Sequence, residues 1–333
     1  MGKEILFLSS EDLKKTLSMK EVINSMEKAF LQLFKKEAKV PLRMRLETED
    51  EGTGALFMPV YLPHEKSLAI KSVTINKNNP KQMLPMIHAL VTVFDSITGV
   101  PVAVLDGEYL TAMRTGAVSG LATDLLANEN AETLAVIGAG IQGKTQCEAI
   151  CEVRNIKKIF ISDLDKEKCL NLKNQILKEF DIKKSNIEII AFPPDGYLKE
   201  ADIICTATSS TKPVFTDSQI KAGVHINSVG SYRPDMCEIP PETVSRSKII
   251  VDQRKAALSE AGDIIQPLKS GIIELRHIKA ELGEIIFENL KIRNSENDIT
   301  FFKSVGIAVQ DLAAANVAIN NAIKSNYGIK LKL

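Results

Sequence analysis

The sequence predicts an α/β protein with a doubly wound parallel sheet and a second, mixed α+β domain. The first supporting observation is a glycine-rich loop, 138–143, which follows an apolar run and opens a helical pattern. The second is the alternation of short apolar runs with helical patterns over residues 131–252, which is typical of a parallel sheet. The third is a denser alternation of β-rich runs and turn signals over residues 40–105, which favours an antiparallel, barrel-like or open sheet.

The loop has the form Gly-x-Gly-x-x-Gly, and each glycine has a physical reason. Gly138 allows a tight turn out of the strand, Gly140 lets a pyrophosphate approach the backbone, and Gly143 lets the helix pack on the strand. The helical pattern Lys144–Val153 follows, and its N-terminal end, beside Ile141 and Gln142, offers unpaired N–H groups and the positive end of a helix dipole to phosphates. The strand–loop–helix context predicts a dinucleotide site of the Rossmann type.

An acidic residue at the end of the next apolar run supports this prediction. Asp163 lies 20 residues after Gly143, the spacing at which a carboxylate accepts hydrogen bonds from the adenosine ribose. The alternative role for Asp163 is to cap the helix that starts near Asp165. Leu164 follows, where an Arg would suit a 2′-phosphate, so the sequence favours NAD and leaves NADP possible.

Small residues follow two later strands of the predicted sheet. In such sheets the ligand lies at the carboxyl ends of the strands, where small side chains permit close backbone approach. These positions are predicted to line the cofactor: Thr206, Ala207, Thr208, Ser228, Val229 and Gly230.

Basic residues interrupt the N-terminal β-rich region. Arg43 and Arg45 lie two apart on one predicted strand and share a face, Lys71 interrupts an apolar strand, and Arg114 lies in the first turn of a helix that runs toward Leu126. Taken singly, each is ordinary, because such side chains are usually solvated or extend to a sheet edge. Together they predict an anion site in which guanidinium groups hold a carboxylate and a desolvated lysine exchanges protons near neutral pH.

Composition narrows the class of protein. The 333 residues carry 42 basic and 42 acidic side chains, a balance that argues against nucleic acid as a partner. No apolar run approaches membrane-spanning length, so no membrane partner is expected. The five cysteines lack a histidine cluster, which favours reduced thiols in the cytoplasm over a metal site.

The domain division follows from these patterns. Residues 126–304 are predicted to form the dinucleotide-binding domain, and their last part, 253–300, is expected to be helical. The amphipathic pattern 307–324 predicts a helix that returns to the N-terminal domain. Residues 1–125 with 305–333 are therefore predicted to form the substrate-binding and dimerisation domain.

Taken together, the chain resembles the ornithine cyclodeaminase/mu-crystallin family along nearly its whole length. The resemblance rests on Met58-Pro59, Lys71, 110–117, the glycine loop, Thr206–Thr208, Asn227–Gly230, Arg233–Asp235, Glu238 and Phe302–Asp311. It implies a homodimer, NAD(H) or NADP(H), and a substrate carboxylate held by an Arg-Lys-Arg set, matched by Arg43 (or Arg45), Lys71 and Arg114. It also implies cofactor contacts at Ser304 and Val305 and substrate contacts at Gly306 and Tyr232.

One departure from the family pattern bears on the reaction. Cyclodeaminases carry an Asp at the position of Tyr232, where it manages the substrate amine and its proton. A phenol is a weak base at neutral pH and has no carboxylate to hold an ammonium group. The resemblance therefore implies an oxidoreductase that moves hydride between nicotinamide and the Cα of an α-imino or α-amino acid, such as pyrroline-2-carboxylate or alanine. Ornithine cyclodeamination is the alternative, and a non-catalytic small-molecule binding protein like mu-crystallin is the second.

Overall fold

The computed structural model describes residues 4–49, 53–76, 78–179 and 187–332. The chain divides into two compact units, Met1–Arg114 with Ile307–Leu333 (unit 1) and Thr115–Gly306 (unit 2). The boundary expected from the sequence lay between residues 125 and 126. That position and residue 114 both lie within one continuous helix, α3 (Gly107–Leu126).

Unit 1 contains a seven-stranded sheet in its described residues. Its strands are β1 (Glu4–Leu8), β2 (Met44–Glu47), β3 (Thr53–Leu62), β4 (Ser67–Asn76), β5 (Ile87–Asp95), β6 (Pro101–Asp106) and β15 (Ile329–Lys332), and its helices besides α3 are α1 (Ser10–Thr16), α2 (Met19–Phe34) and α10 (Ala308–Ser325). The spatial order is β15-β1-β6-β5-β4-β3-β2, an open sheet. All neighbours are antiparallel except β1 and β6.

The alternation of side chains along β4 decides which of them are covered. Ser67, Ala69, Lys71 and Val73 are buried, whereas the residues between them are half-buried or exposed. Helix α10 packs against β3, β4 and β5 and against α2, as its predicted return to the N-terminal domain requires. Because successive strand residues point to opposite faces, Lys71 is carried on the covered face of the sheet.

Unit 2 contains an eight-stranded sheet, parallel throughout its described residues. Its strands are β7 (Thr133–Ile137), β8 (Lys158–Ser162), β9 (Glu188–Ala191), β10 (Ile203–Thr206), β11 (His225–Ser228), β12 (Lys248–Val251), β13 (Ile278–Glu281) and β14 (Thr300–Lys303), and its helices besides α3 are α4 (Ile141–Val153), α5 (Lys166–Glu179), α6 (Pro241–Arg246), α7 (Arg254–Glu260), α8 (Gly262–Lys269) and α9 (Leu282–Glu288). The order is β13-β12-β14-β11-β10-β7-β8-β9. The strand order reverses between β7 and β10, the switch point at which such sheets bind dinucleotides.

Two strands were not expected from the sequence. The region 253–300 was predicted to be helical, yet it contains β13 as well as α7, α8 and α9. Strand β13 is four residues long and pairs with β12, and β15 pairs with β1. Such short strands form because the edge strand of a sheet offers unpaired backbone groups, and the position of that edge cannot be read from the sequence alone. The helical pattern Lys166–Phe180 in the sequence forms α5, and Phe180 itself lies outside the described residues.

Among the described helices, none combines the length and the apolar character that crossing a bilayer demands.

Candidate functional site

A buried ionic cluster in unit 1 joins strand β4 to helices α3 and α10. The Nζ of Lys71 lies 2.8 Å from Oδ1 of Asp311 and donates to Oγ1 of Thr111 at 3.2 Å. The Nε of Arg114 donates to the same Asp311 oxygen at 3.0 Å. One carboxylate oxygen therefore holds an ammonium and a guanidinium group side by side, with all three side chains buried.

The position of Arg114 corrects one expectation from the sequence. It is the eighth residue of α3, two turns beyond the start of the helix, and does not lie in the first turn. Its Nη1 donates to Oε1 of Gln310 at 2.6 Å, so Gln310 and Asp311 together orient the guanidinium group. Since a guanidinium has five N–H donors, two such bonds leave donors for a further anion.

Burial controls the protonation of this cluster. Loss of solvation lowers the pKa of Lys71 to about 8; the Asp311 carboxylate opposes this effect, while Arg114 and Arg43 add to it. Burial works to raise the pKa of the Asp311 carboxyl, but the charges of Arg114 and Lys71 outweigh it and hold that pKa below its usual value. The three groups therefore carry one net positive charge near neutral pH.

The two arginines near β2 differ in their surroundings. Arg43 precedes β2, so it does not share a strand face with Arg45 as the sequence suggested. It is half-buried, and its charge acts on Lys71. Arg45 lies within β2 opposite Leu56 and is exposed.

Asp311, Gln310 and Thr111 were not singled out as site residues from the sequence. Asp311 Oδ2 and Gln310 Nε2 are buried without a hydrogen-bond partner among the described residues. An unpaired buried polar atom costs free energy, so this cluster is not arranged for stability alone. The available signal was an Asp next to a Gln at the start of an otherwise Ala-rich apolar helix pattern.

The glycine loop of unit 2 has the geometry that phosphate binding needs. Gly138 has a φ of +107°, and a Cβ there would lie 2.5 Å from the Ala207 carbonyl oxygen. A Cβ on Gly143 would lie 2.0 Å from the Gly138 oxygen, so the helix must pack closely on the turn. Gly140 caps α4, and a Cβ there would meet nothing within 4 Å. Open space at the N-terminus of a helix, beside Ile141 and Gln142, fits a pyrophosphate.

Asp163 lies beside this loop at the end of β8. Its Oδ2 accepts from the Ala139 N–H at 2.8 Å and its Oδ1 from the Asp165 N–H at 3.0 Å. The N–H groups of Glu167 and Lys168 are capped by Asp165, which is therefore the cap of α5. A carboxylate has about four acceptor positions, so Asp163 retains capacity for ribose hydroxyls.

The ends of β10 and β11 pack together at the switch point. The Ala207 N–H donates to the Ile137 carbonyl at 2.8 Å, and the Val229 N–H donates to the Thr206 carbonyl at 3.0 Å. The hydroxyl groups of Thr206, Thr208 and Ser228 bond buried carboxylates of the protein, so a cofactor here would meet mainly backbone.

The loop after β14 is fixed by one buried carboxylate. Oδ2 of Asp252 accepts from the Ser304 hydroxyl at 2.9 Å, the Val305 N–H at 2.8 Å and the Gly306 N–H at 3.0 Å. Burial raises the pKa of Asp252, which these bonds oppose. The loop also contacts the end of β11, the neighbouring strand in the sheet, since the Ser304 N–H donates to the Ser228 carbonyl at 3.2 Å.

Tyr232 completes the set of predicted site residues. It is half-buried in unit 2, two residues beyond Gly230, and its N–H donates to the Gly230 carbonyl at 3.1 Å. Within the described ranges, no three His, Cys, Asp or Glu side chains are grouped so as to hold a metal ion.

Comparison with known proteins agrees with this geometry. Residues 3–326 match the ornithine cyclodeaminase/mu-crystallin family. The chain belongs to this family. A relative from Bacillus cereus, a Δ1-pyrroline-2-carboxylate reductase, is 37% identical over 98% of this chain and 100% of its own length.

Two solved structures are similar to this chain over nearly its whole length. The Δ1-pyrroline-2-carboxylate reductase of Thermococcus litoralis, solved with NADH and L-proline, is 41% identical with a TM-score of 0.92, covering 98% of this chain and 100% of that one. An archaeal alanine dehydrogenase dimer with bound NAD is 31% identical with a TM-score of 0.90, covering 99% of each chain. The family assigned from the residues, and the α/β fold with a Rossmann-type parallel sheet, are confirmed.

Proposed function

We propose that this protein is an NAD-dependent oxidoreductase that reduces a cyclic α-imino acid of the pyrroline-2-carboxylate type to the α-amino acid. The observation that carries the proposal is the buried Lys71–Asp311–Arg114 cluster in a chain that also has a dinucleotide loop. Relatives with this activity match the chain from end to end. NADH, when bound, supplies the hydride that adds to Cα.

The substrate carboxylate is assigned to Arg114 and Arg43. Arg114 is preoriented by Asp311 and Gln310, and a planar guanidinium pairs with a carboxylate through two parallel bonds. Arg43 is preferred over Arg45 because its charge acts on Lys71, whereas Arg45 is exposed in β2. The single net positive charge of the cluster matches a single carboxylate. Fixing that group fixes Cα, which supplies much of the rate enhancement by orientation.

Lys71 is assigned to the imine nitrogen. With a pKa of about 8, its ammonium group is mainly protonated at neutral pH and can donate a hydrogen bond or a proton to that nitrogen. Proton donation by Lys71 makes the C=N carbon more electrophilic. In the oxidative direction the neutral amine of Lys71 accepts the proton instead.

The cofactor is assigned to the strand ends of unit 2. The open space at Gly140 and the N-terminus of α4 suit the pyrophosphate, and Asp163 suits the adenosine ribose. Leu164 is fully exposed and offers no cation to a 2′-phosphate, so NAD is preferred and NADP is the lesser alternative. Backbone at Thr206–Thr208, Ser228–Gly230 and Ser304–Val305 supplies the remaining wall, with Gly306 and Tyr232 assigned to the substrate.

Alanine dehydrogenase activity is the second candidate, since one similar solved structure carries that name. It needs the same carboxylate clamp and the same hydride acceptor, with an imine formed from pyruvate and ammonia. Ornithine cyclodeamination is disfavoured by Tyr232, which replaces the carboxylate that would hold an amine. A purely binding role is disfavoured by the burial of Lys71, which costs free energy and has no purpose without proton chemistry.

We further propose a homodimer formed through the uncovered face of the unit 1 sheet. Leu68 on β4 and Leu90 on β5 are 43% and 51% exposed, and Phe57 and Ile70 lie on the same face. An exposed apolar patch on a sheet face is an interaction surface, and a second copy of this chain presents a matching one. The cytoplasm is the proposed compartment, because all five cysteines are described and all are free thiols.

The test is the loss of NADH absorbance with three substrates offered separately. Consumption with pyrroline-2-carboxylate supports the main proposal, and consumption only with pyruvate plus ammonia supports the dehydrogenase. Ammonia release from ornithine without net NADH change would support cyclodeamination. If Lys71→Ala reduces pyrroline-2-carboxylate at the wild-type rate, the assigned role of Lys71 is wrong.

A further inference from the structure

A buried carboxylate outside the cluster just described connects the ends of β10 and β11. Oε1 of Glu238 accepts from the Thr208 N–H at 2.6 Å and from its hydroxyl at 2.8 Å. Oε2 accepts from the Thr206 hydroxyl at 2.9 Å, the Ser228 hydroxyl at 3.0 Å and the Gly230 N–H at 2.8 Å. Glu238 is fully buried. Its carboxylate therefore connects the end of β10 and the loop after it to the end of β11 and the loop after it through five hydrogen bonds.

The packing around Glu238 leaves the two loops little freedom. A Cβ on Gly230 would lie 2.5 Å from Oε1 of Glu238 and 2.1 Å from the Thr208 carbonyl oxygen. Only glycine therefore allows the β11 loop to lie against both the carboxylate and the β10 loop. Glu238 adds hydrogen bonds to both loops beyond the point where the Val229 N–H pairs with the Thr206 carbonyl.

Glu238 is itself held by a second buried pair. Oδ1 of Asp263 accepts from the Glu238 N–H at 2.7 Å, and Oδ2 lies 2.7 Å from the Ser228 hydroxyl, whose single proton is shared between Asp263 and Glu238. Lys303 Nζ donates to the Ser228 hydroxyl at 3.0 Å and lies 3.3 Å from Asp263. Burial raises the pKa of Glu238, an effect that Lys303 opposes and Asp263 increases. Burying three charged groups is costly, and apolar residues would often serve stability as well.

The loops that Glu238 connects belong to the second half of the doubly wound sheet. In such sheets each half binds one mononucleotide, and the glycine loop with Asp163 lies in the first half. If the first half takes the adenosine end of NAD, the loops after β10 and β11 face the nicotinamide end. The costly charges thus fix the part of the cofactor site that must orient the reacting ring.

We propose that Glu238 is a positioning residue for the nicotinamide half of the dinucleotide site, acting through the backbone of Thr208 and Gly230. The inference rests on the proposed NAD-dependent function. It assigns no contact between Glu238 and the cofactor, because the side chain is buried behind the loops it holds. It predicts that disturbing Glu238 weakens recognition of nicotinamide while leaving recognition of the adenosine end intact.

The experiment compares two ligands on the full-length protein. Dissociation constants are measured for NADH by fluorescence titration and for ADP-ribose, which lacks nicotinamide, by calorimetry. Glu238→Gln keeps the shape of the side chain, but one of its two oxygen acceptors becomes an NH₂ group. That group cannot accept the hydrogen bonds that the N–H and O–H donors of one loop make to Glu238. We expect its dissociation constant for NADH to rise about tenfold or more, and that for ADP-ribose to change by less than about twofold.

A second variant and a matched control keep the result interpretable. Glu238→Asp retains the charge but is one methylene too short to reach both loops, so the same selective loss is expected if Glu238→Gln folds poorly. Glu242→Gln makes the same change at an exposed residue of α6 and should affect neither ligand.

Three outcomes would overturn the proposal. If the wild type binds neither ligand, the NAD-dependent function fails and this inference with it. If the wild type binds both and the Glu238 variants keep wild-type NADH affinity, only the positioning role is wrong. If both affinities fall in parallel with the unfolding temperature, Glu238 has a general structural role instead.

Discussion

Replacing Asp311 by Asn tests the electrostatic account of the site most directly. The substitution keeps the shape and one oxygen acceptor, but removes the negative charge that lies 2.8 Å from Lys71 Nζ. With Asp311 charged, the pKa of Lys71 is about 8. An opposite charge at close range changes a pKa by about 1–3 units, so its removal brings the pKa of Lys71 to between about 5 and about 7. The protonated fraction at pH 7 then falls from about nine-tenths to half or less.

The assay is the pH dependence of kcat/KM for NADH-dependent reduction of pyrroline-2-carboxylate. If Lys71 protonates the imine as proposed, the rate of reduction falls as pH rises through the pKa of Lys71. In Asp311→Asn this alkaline limb should move to lower pH by about one unit or more. Lys71→Arg does not titrate in this range and should remove the limb altogether.

Two comparisons separate charge from stability. Asp124→Asn makes the same change at an exposed carboxylate that pairs with Arg154, and its pH profile should match that of the wild type. Removing one partner of a buried pair costs about 3–5 kcal/mol, so thermal unfolding must show that Asp311→Asn is folded across the pH range. An alkaline limb at the wild-type pH in a folded Asp311→Asn protein would refute the reasoning.

Three further predictions address the cofactor, the assembly and stability. Asp163→Ser combined with Leu164→Arg exchanges a carboxylate for a cation, and steady-state kinetics should show a preference for NADPH raised about tenfold or more; unchanged preference would remove Asp163 from the ribose site. Leu90→Glu places a charge on the proposed dimer face and should give a monomer by light scattering, whereas Ile97→Glu in an exposed turn should not; a persistent Leu90→Glu dimer would exclude that face. Burial lowers the pKa of the His225 imidazole to about 3, so the contribution of the neutral ring to stability is complete above pH 6.5 and is lost as pH falls toward 3. Between pH 6.5 and 5 the free energy of unfolding of the wild type, measured in urea, should fall by about 2 kcal/mol more than that of His225→Gln. Equal losses would show that His225 is not held neutral.

The dinucleotide half of the protein was the more predictable one. The glycine loop, the strand before it and the acidic residue after the next strand lie close together in sequence, and Gly138 and Gly143 each have a steric reason. The parallel sheet was also predictable, because strands that alternate with helices along the chain are typical of such a sheet. Each of these elements shows its own pattern of apolar residues in the sequence. Strand β13 was not predicted because the alternation in Ile-Lys-Ala-Glu covers only four residues, and the segment pairs with the edge that β12 presents.

The Lys71–Asp311–Arg114 cluster was only partly predictable from the sequence. Lys71 stood out because a charge interrupts an apolar strand, and Arg114 because of its motif. Asp311 lies 240 residues from Lys71 along the chain, and nothing local indicates that one carboxylate binds both cations. Glu238 is hidden for the same reason, because its partners at the ends of β10 and β11 come together only in the folded sheet.

By itself the sequence determined the family and the cofactor class and indicated the basic residues proposed to hold the substrate carboxylate, because these depend on residue type and short spacing. Only the tertiary structure decided how those residues are charged and held. Helix α10 carries Asp311 onto the covered face of β4, and burial there lowers the pKa of Lys71 into the range of neutral proton chemistry. Protonation depends on solvation and on neighbouring charges, both of which arise only when distant segments pack together.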